Sequence, residues 1–155
     1  MVTLTPKETS LLSDLKEQEK LCIEKYGRYA AQAKDNRLKV LFTQLQQNED
    51  THLQMLDQIS AGQTPQTNQS AQKPANPALD GKGKENACTS KDWEADQYLC
   101  ADALSMEKHV SSVYDTSIFE FGQPELREAL NKIQQDEQRH GEMIYQYMAA
   151  NNMYA

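Results

Sequence analysis

Cysteine is scarce in this sequence, and the three cysteines do not form a recognisable framework. Cys22, Cys88 and Cys100 are odd in number, far apart and outside any C-x-x-C pair. Disulfide-rich domains and thiolate metal sites need paired or clustered cysteines. The sequence therefore indicates neither a disulfide scaffold nor a zinc or rubredoxin-type site.

Long hydrophobic runs and excess positive charge are also lacking. No segment approaches the length of a membrane span, and Met1 is not followed by a charged and then apolar leader. The formal net charge is −7, whereas binding to nucleic acid or to an anionic membrane needs a basic surface. We therefore expect a soluble intracellular protein with no signal peptide, no nucleic-acid partner and no membrane partner.

The sequence is rich in residues that form amphipathic helices. Hydrophobic residues make up 38% and charged residues 25% of the chain, with many Gln, Ala, Leu, Glu and Lys. Thr5, Pro6 and Glu8 have the spacing of a capping box with proline at the first helical position. Three further helices are predicted to begin near residues 35, 90 and 124. We therefore predict an all-α fold with helical hairpins over residues 5–61 and 90–150.

Residues 62–89 lie between the two hairpins and contain mostly proline, glycine and polar residues. This composition predicts a linker with little structure of its own. A helix of about 25 residues is ~38 Å long, and about a dozen extended residues cover that distance. The linker can therefore cross the whole bundle. We predict a single domain over residues 1–155, a ferritin-like four-helix bundle with one long crossover between helices two and three.

The two hairpins are related by an internal repeat with an offset of 88 residues. The 46 positions from Leu11 to Leu56 align without a gap on the second half and include eleven identities. Most of the other core positions pair an apolar residue with an apolar residue. The repeat predicts two hairpins of one design around a pseudo-two-fold axis.

Six ionisable side chains fall on the stripes that are predicted to face the core, where apolar residues are expected. They are Glu19 and Glu107 on helices one and three, and two E-x-x-H motifs, Glu49–His52 and Glu137–His140, on helices two and four. Unpaired charge in a core costs several kcal/mol per group. Four carboxylates close together repel one another, and some take up protons.

A pair of divalent cations would neutralise the four carboxylates. Carboxylate oxygen and imidazole nitrogen suit iron or manganese, and the absence of thiolate in the set argues against structural zinc. One glutamate from each of two helices and one E-x-x-H motif from each of the other two form the ligand set of dinuclear carboxylate sites in bundles. The alternative is a buried polar network in which the same glutamates and histidines pair with one another.

The segment DEQRH at residues 136–140, with Glu107 upstream, resembles the D-E-x-R-H signature of soluble di-iron proteins such as rubrerythrin and the oxygenases. The resemblance implies two ions held by six ligands. Their implied roles are Glu49 and Glu137 as bridges, Glu19 with His52 on one ion, and Glu107 with His140 on the other.

The same resemblance implies groups outside the ligand set that orient the histidines. Asp136 and Arg139 match those positions of the signature in the second half. The first half departs from it, because Asn48 and Thr51 stand at the corresponding positions. The sequence therefore leaves open which groups, if any, orient His52.

Two tyrosines lie near the predicted ligands. Tyr26 and Tyr114 are two helical turns from Glu19 and Glu107 on the same faces. One hypothesis makes them redox-active or supporting groups of the site. The other makes them ordinary core residues whose hydroxyl groups are satisfied.

A second resemblance covers nearly all of the chain outside the linker. The segments LLSDLKEQEKLCIEKYGRYA, FGQPELREAL and IYQYMAANNMY resemble the coat F family of bacterial spore-coat proteins. That family usually ends in Gly-Trp-Tyr where this chain has Asn152, Met153 and Tyr154. The resemblance implies a location in the mother-cell cytoplasm, the spore coat or both, and implies other coat proteins or a second copy of the chain as partners.

Two functions from different classes follow from these observations. The first is a dinuclear iron or manganese protein that handles metal or reacts with oxygen or peroxide, with oxidase or peroxidase activity as the enzymatic form. The second is a structural component of the spore coat with no catalytic role.

Overall fold

Four α-helices form the fold, as the sequence predicts. The computed structural model describes residues 1–67, 75–79 and 89–154, and this part of the chain contains no β-strand. The helices are α1 (Pro6–Gln32), α2 (Asn36–Ser60), α3 (Ser90–Glu120) and α4 (Pro124–Ala150). The all-α prediction is confirmed, and every helix begins within a residue or two of its predicted start.

Side-chain caps explain where three of the helices begin. Thr5 and Glu8 form the predicted capping box, in which each side chain bonds to the other residue's backbone N–H. Thr89 and Asp92 form a second capping box at the start of α3. The carboxylate of Asp35 accepts a hydrogen bond from the second backbone N–H of α2. These caps satisfy N–H groups that have no partner inside their own helix.

Helices α1 and α3 are antiparallel neighbours. At one end, Asp96 near the start of α3 accepts hydrogen bonds of 2.8 and 2.9 Å from the backbone N–H groups of Lys34 and Asp35, just after α1. At the other end, Glu8 near the start of α1 accepts a 2.9 Å hydrogen bond from the backbone N–H of Gly122, just after α3. The carboxylates of Asp96 and Glu8 therefore fix both ends of this helix pair.

Helices α2 and α4 are also antiparallel. The Tyr147 hydroxyl donates a 2.9 Å hydrogen bond to Asp35, and Arg37 donates one of 3.2 Å to Asn151. The start of α2 thus lies beside the end of α4. Because α3 is antiparallel to α1, α2 and α3 run in the same direction. The chain must cross the length of the bundle between them, which is the crossover that the sequence predicts.

The predicted linker is only partly described. Residues 68–74 and 80–88, which include Cys88, lie outside the described residues. A short described segment, residues 75–79, contacts α4: Asn76 donates 3.0 Å hydrogen bonds to the backbone carbonyl of Met143 and to Gln146. Ala78 is buried. The linker therefore has a fixed contact with the bundle, which its polar composition did not predict.

The core is apolar at both ends and polar in the middle. Leucine, isoleucine and aromatic side chains fill both ends. Cys22 and Cys100 are buried as small hydrophobic residues. Between these apolar layers lie the carboxylates and imidazoles that the sequence predicts to face inward. The fold thus surrounds a buried polar cluster on all sides with helices.

Candidate metal centre

The structure brings the six predicted ligand side chains together at the middle of the bundle. Each of the four helices contributes at least one of them. They are almost inaccessible to solvent, with exposed fractions of 0% for Glu19, Glu49 and Glu137, 1% for His140, 2% for His52 and 3% for Glu107. Their positions in the apolar stripe of each helix therefore do place them in the core.

The six side chains form two overlapping groups. In each group, one ligand atom from every residue lies within 4.8 Å of the others. The groups are Glu19, Glu49, His52 and Glu137, and Glu49, Glu107, Glu137 and His140. Glu49 and Glu137 belong to both groups, so they have the positions that bridging carboxylates would need.

Both imidazoles turn the same nitrogen toward the carboxylates. The Nδ1 atom of His52 lies 2.9 Å from Glu49 and 3.1 Å from Glu137. The Nδ1 atom of His140 lies 3.1 Å from Glu49 and 3.3 Å from Glu107. The two rings are nearly parallel, with centroids 5.7 Å apart. The Nε2 atoms are left to contact groups outside the ligand set.

Four carboxylate oxygens in the centre have no hydrogen-bond partner among the described residues. They are Glu19 Oε2, Glu107 Oε2 and both oxygens of Glu137. Glu137 Oε1 lies 3.1 Å from His52 Nδ1, but the geometry at that ring nitrogen fits a hydrogen bond with Glu49 instead. Buried oxygens of this kind are costly unless a cation or a proton satisfies them.

Burial and mutual repulsion change the proton affinity of these groups. Burial raises the pKa of Glu107 to about 8, with the charge of a neighbouring carboxylate as the next cause. Burial likewise raises the pKa of Glu19 well above its ordinary value. For Glu49 burial acts in the same direction, but hydrogen bonds from His140 and His52 outweigh it and lower its pKa to about 2. Without cations, the centre therefore retains protons at neutral pH.

The outward nitrogen of each imidazole contacts the opposite hairpin. His52 Nε2 lies 3.2 Å from the Asp136 carboxylate, and His140 Nε2 lies 3.3 Å from the Asn48 amide nitrogen. Asp136 is itself held by Lys132 at 2.5 and 2.6 Å. His52, whose support the sequence leaves open, therefore contacts the aspartate of the second half. Because α2 and α4 pack side by side, each histidine reaches across to the other helix.

Arg139 is the other residue that the signature predicts to orient a histidine. Arg139 lies 3.7 Å from Asp136, so it adds to the positive charge around that carboxylate. Burial raises the pKa of Asp136, but hydrogen bonds from His52 and Lys132 outweigh burial and lower it to about 2. Asp136 is therefore a charged acceptor for the His52 ring.

The two tyrosines contact the glutamates of the opposite hairpin. The Tyr26 hydroxyl donates a hydrogen bond to Glu107 Oε1, and the Tyr114 hydroxyl donates one to Glu19 Oε1. Burial and nearby carboxylates raise the pKa of both phenols well above the ordinary value, so they remain neutral donors. Each hydroxyl fixes one oxygen of its glutamate and leaves the other oxygen without a partner.

Two glutamines connect the helices within each hairpin by hydrogen bonds that the sequence analysis did not predict. Gln46 donates a 3.0 Å hydrogen bond to the Ile23 carbonyl, and Gln134 donates one of 2.8 Å to the Ser111 carbonyl. A Cβ at Gly27 would lie 2.6 Å from the Gln46 amide nitrogen, so a larger residue there would require the end of the Gln46 side chain to shift. The signal was present, because both glutamines are among the identities of the repeat.

Comparison with known proteins identifies one family resemblance. Residues 95–155 match the family model described as the Coat F domain. The match covers most of α3, all of α4 and the C-terminal segment, which is less than half of the chain, and it supports a protein of the spore-coat type. No curated protein and no solved structure matches the chain. Among the described helices, none is long and apolar enough to cross a membrane.

Proposed function

We propose that this chain is a ferritin-like protein that holds two divalent iron or manganese ions among the six buried ligands. The observation that carries the proposal is the pair of overlapping four-residue groups that share Glu49 and Glu137. A buried polar network without metal would pair its donors and acceptors, yet four carboxylate oxygens here have no partner within the part of the chain that the structure describes. Each group contains at least one such oxygen.

The donor set fits iron or manganese. Each group offers three carboxylates and one imidazole and no thiolate, which suits these ions better than structural zinc. Two divalent ions match the charge of four ionised glutamates. In this proposal, Glu19 and His52 complete one ion, and Glu107 and His140 complete the other.

The chemistry that we propose is the handling of metal or the reduction of oxygen or peroxide. When bound, two adjacent ions supply the electrons for such a reduction. The chain's own groups fix the ligands: the phenols of Tyr26 and Tyr114 orient Glu107 and Glu19, and Asp136 orients a histidine. The apolar layers above and below the centre limit access of bulk water. Oxidase or peroxidase activity is the enzymatic form of this proposal.

The cellular setting that we propose is the bacterial spore coat or the mother-cell cytoplasm in which the coat assembles. The Coat F match over residues 95–155 supports this setting. Other coat proteins or a second copy of the chain are the proposed partners. A redox centre in a coat protein would protect the spore against oxidants, so the location and the chemistry are compatible.

The first test is metal content after reconstitution with Fe²⁺ or Mn²⁺ under nitrogen. We expect about two ions per chain, as the two ligand groups imply. A double variant, Glu49→Ala with Glu137→Ala, removes both shared carboxylates and should lose both ions. The matched control is Asp50→Ala with Glu128→Ala, which removes two exposed carboxylates from the same helices and should retain both. A wild-type protein that stays free of metal would contradict the proposal.

The second candidate function is a structural coat component, and the Coat F match favours it specifically. The same double variant separates the two functions in sporulating cells. Normal incorporation into the coat with lost peroxide consumption supports the redox function. Failure to incorporate, together with no turnover by the wild-type protein, supports the structural function.

A further inference from the structure

A pocket of about 570 Å³ lies between α3 and α4 on the outside of the second hairpin. Its walls include side chains from both helices and one from the C-terminal segment. The residues that matter here are Leu104 and Glu107 from α3, Glu137, Gly141 and Tyr145 from α4, and Tyr154.

The pocket reaches two of the proposed ligands. Glu107 and Glu137 are its buried lining residues, with exposed fractions of 3% and 0%, whereas Tyr145 and Tyr154 are exposed at its rim. The Oε2 atom of Glu107 and both carboxylate oxygens of Glu137 have no hydrogen-bond partner among the described residues. The pocket is therefore bounded on its inner side by two residues of the group that contains His140, and these three oxygens are themselves closed to solvent.

The first hairpin differs at the positions that would form a matching pocket. The repeat places Leu53 at the position of Gly141, and it places Lys16 and Asp57 at the positions of Leu104 and Tyr145. Lys16 and Asp57 form a 2.6 Å ion pair between α1 and α2.

A pocket on the α1–α2 side does occur, but it lies toward the N-terminus. It is lined by residues such as Val2, Leu12 and Ile59 and by neither Glu19 nor Glu49. The lining of the pocket between α3 and α4 therefore differs from the residues that the repeat places at the same positions of the first hairpin.

Gly141 is the residue that keeps the second pocket open. A Cβ at this position would already lie in van der Waals contact, 3.8 Å from the Leu104 side chain. A larger side chain would extend from there into the space between the two helices. Glycine is unfavourable inside a helix, so its presence next to His140 is explained by the space that it leaves.

We propose that this pocket is the route by which a small uncharged molecule, such as dioxygen or hydrogen peroxide, reaches the centre from the Glu107 side. The inference rests on the proposed metal function. The surface of the pocket is mostly apolar, with Leu104 and Gly141 in its wall, and the exposed Lys108 and Glu142 carry opposite charges. Such a wall favours an uncharged molecule.

The test uses nitric oxide, an uncharged diatomic molecule that reports access without turnover. Wild-type protein and variants are loaded with Fe²⁺ under nitrogen, their iron is counted, and nitric oxide binding is followed by stopped-flow absorbance. Two independent designs close the route. Gly141→Leu installs the residue of the first hairpin, and Leu104→Lys with Tyr145→Asp installs its ion pair. Ala149→Leu introduces the same side chain at an exposed position of α4 and is the control.

We expect about two irons per chain in every protein. Nitric oxide binding should be slowed about tenfold or more in both variants that close the pocket, because entry then requires a fluctuation of the protein. The control should bind at the wild-type rate. Unchanged rates with iron retained would overturn the route while leaving the metal function intact. Absence of iron from the wild-type protein would overturn both. If only the Gly141→Leu protein loses iron, the nitric oxide binding rate of the Leu104→Lys, Tyr145→Asp protein decides whether the pocket is the route.

Discussion

The protein freed of metal by a chelator should become less stable as the pH rises from about 5 to about 8. The groups responsible are buried groups whose pKa is raised in the folded protein. They are Glu19, Glu107, His52 and His140. In the unfolded chain each of these groups loses its proton at a lower pH than in the folded protein. The folded state therefore holds more protons in this range, and the free energy of unfolding falls as the pH rises.

The size of the expected change in the free energy of unfolding can be worked out from Glu107 alone. Its pKa rises from 4.5 to about 8, mainly because of burial. Over that interval a single such group lowers the free energy of unfolding by about 5 kcal/mol. A domain of ordinary stability has about 5–15 kcal/mol in total. The stabilisation from the raised pKa of Glu107 is fully present below pH 4.5, and it is lost as the pH rises through the pKa of about 8 in the folded protein. The two histidines act in the same direction above their ordinary pKa of 6.5.

Urea unfolding followed by circular dichroism measures this dependence on metal-free protein across the pH range. Glu107→Gln removes one titrating group and should flatten the curve, whereas Glu128→Gln changes an exposed carboxyl and should not. Added Mn²⁺ should restore stability most strongly at the alkaline end, because a metal ion displaces the protons that the ligands hold. A metal-free protein whose free energy of unfolding stays constant or rises over this range would refute the reasoning.

Three further substitutions test the supports of the centre. Tyr26→Phe removes the hydrogen bond to Glu107 and leaves a buried oxygen without a donor, so it should cost about 1–3 kcal/mol in urea unfolding. Asp136→Asn should weaken the ion held by His52 about 10- to 100-fold in calorimetric titration with Mn²⁺. Gly141→Ala should raise the free energy of unfolding by up to about 1 kcal/mol, because its Cβ meets its nearest neighbour at an ordinary contact distance.

Each of these predictions has an outcome that would contradict it. Full stability of the Tyr26→Phe protein would show that Glu107 finds another donor. Equal Mn²⁺ affinity of the Asp136→Asn protein would remove this aspartate from the support of the centre. A less stable Gly141→Ala protein would mean that the helices cannot accept the extra methyl group.

Local signals were sufficient to predict the helices and the six ionisable side chains that meet in the core. The spacing of Thr5, Pro6 and Glu8 predicts the start of α1, because capping depends on neighbours in sequence. The E-x-x-H motifs predict buried ionisable side chains, because they interrupt an apolar stripe whose direction is fixed by the helical period. The 88-residue repeat then relates one half to the other without any knowledge of the packing.

Contacts that depend on how two helices pack could not be predicted in the same way. The sequence gives no rotation of α2 against α4, so it did not indicate that Asp136 would contact His52 rather than the histidine of its own helix. The contact of Asn76 with α4 depends on the path of the crossover. The pocket between α3 and α4 needs Gly141 and Leu104 to face each other across two helices.

Each hairpin supplies hydrogen bonds to residues of the other hairpin, so a shorter chain with a single hairpin could not build this centre alone. Tyr26 and Tyr114 each hold a glutamate of the opposite hairpin, and Asp136 holds the histidine of the other E-x-x-H motif. A polypeptide with one hairpin could complete the same arrangement only by associating with a second copy. Tethering both copies in one chain replaces a bimolecular equilibrium with an effective local concentration, so the assembled centre persists on dilution.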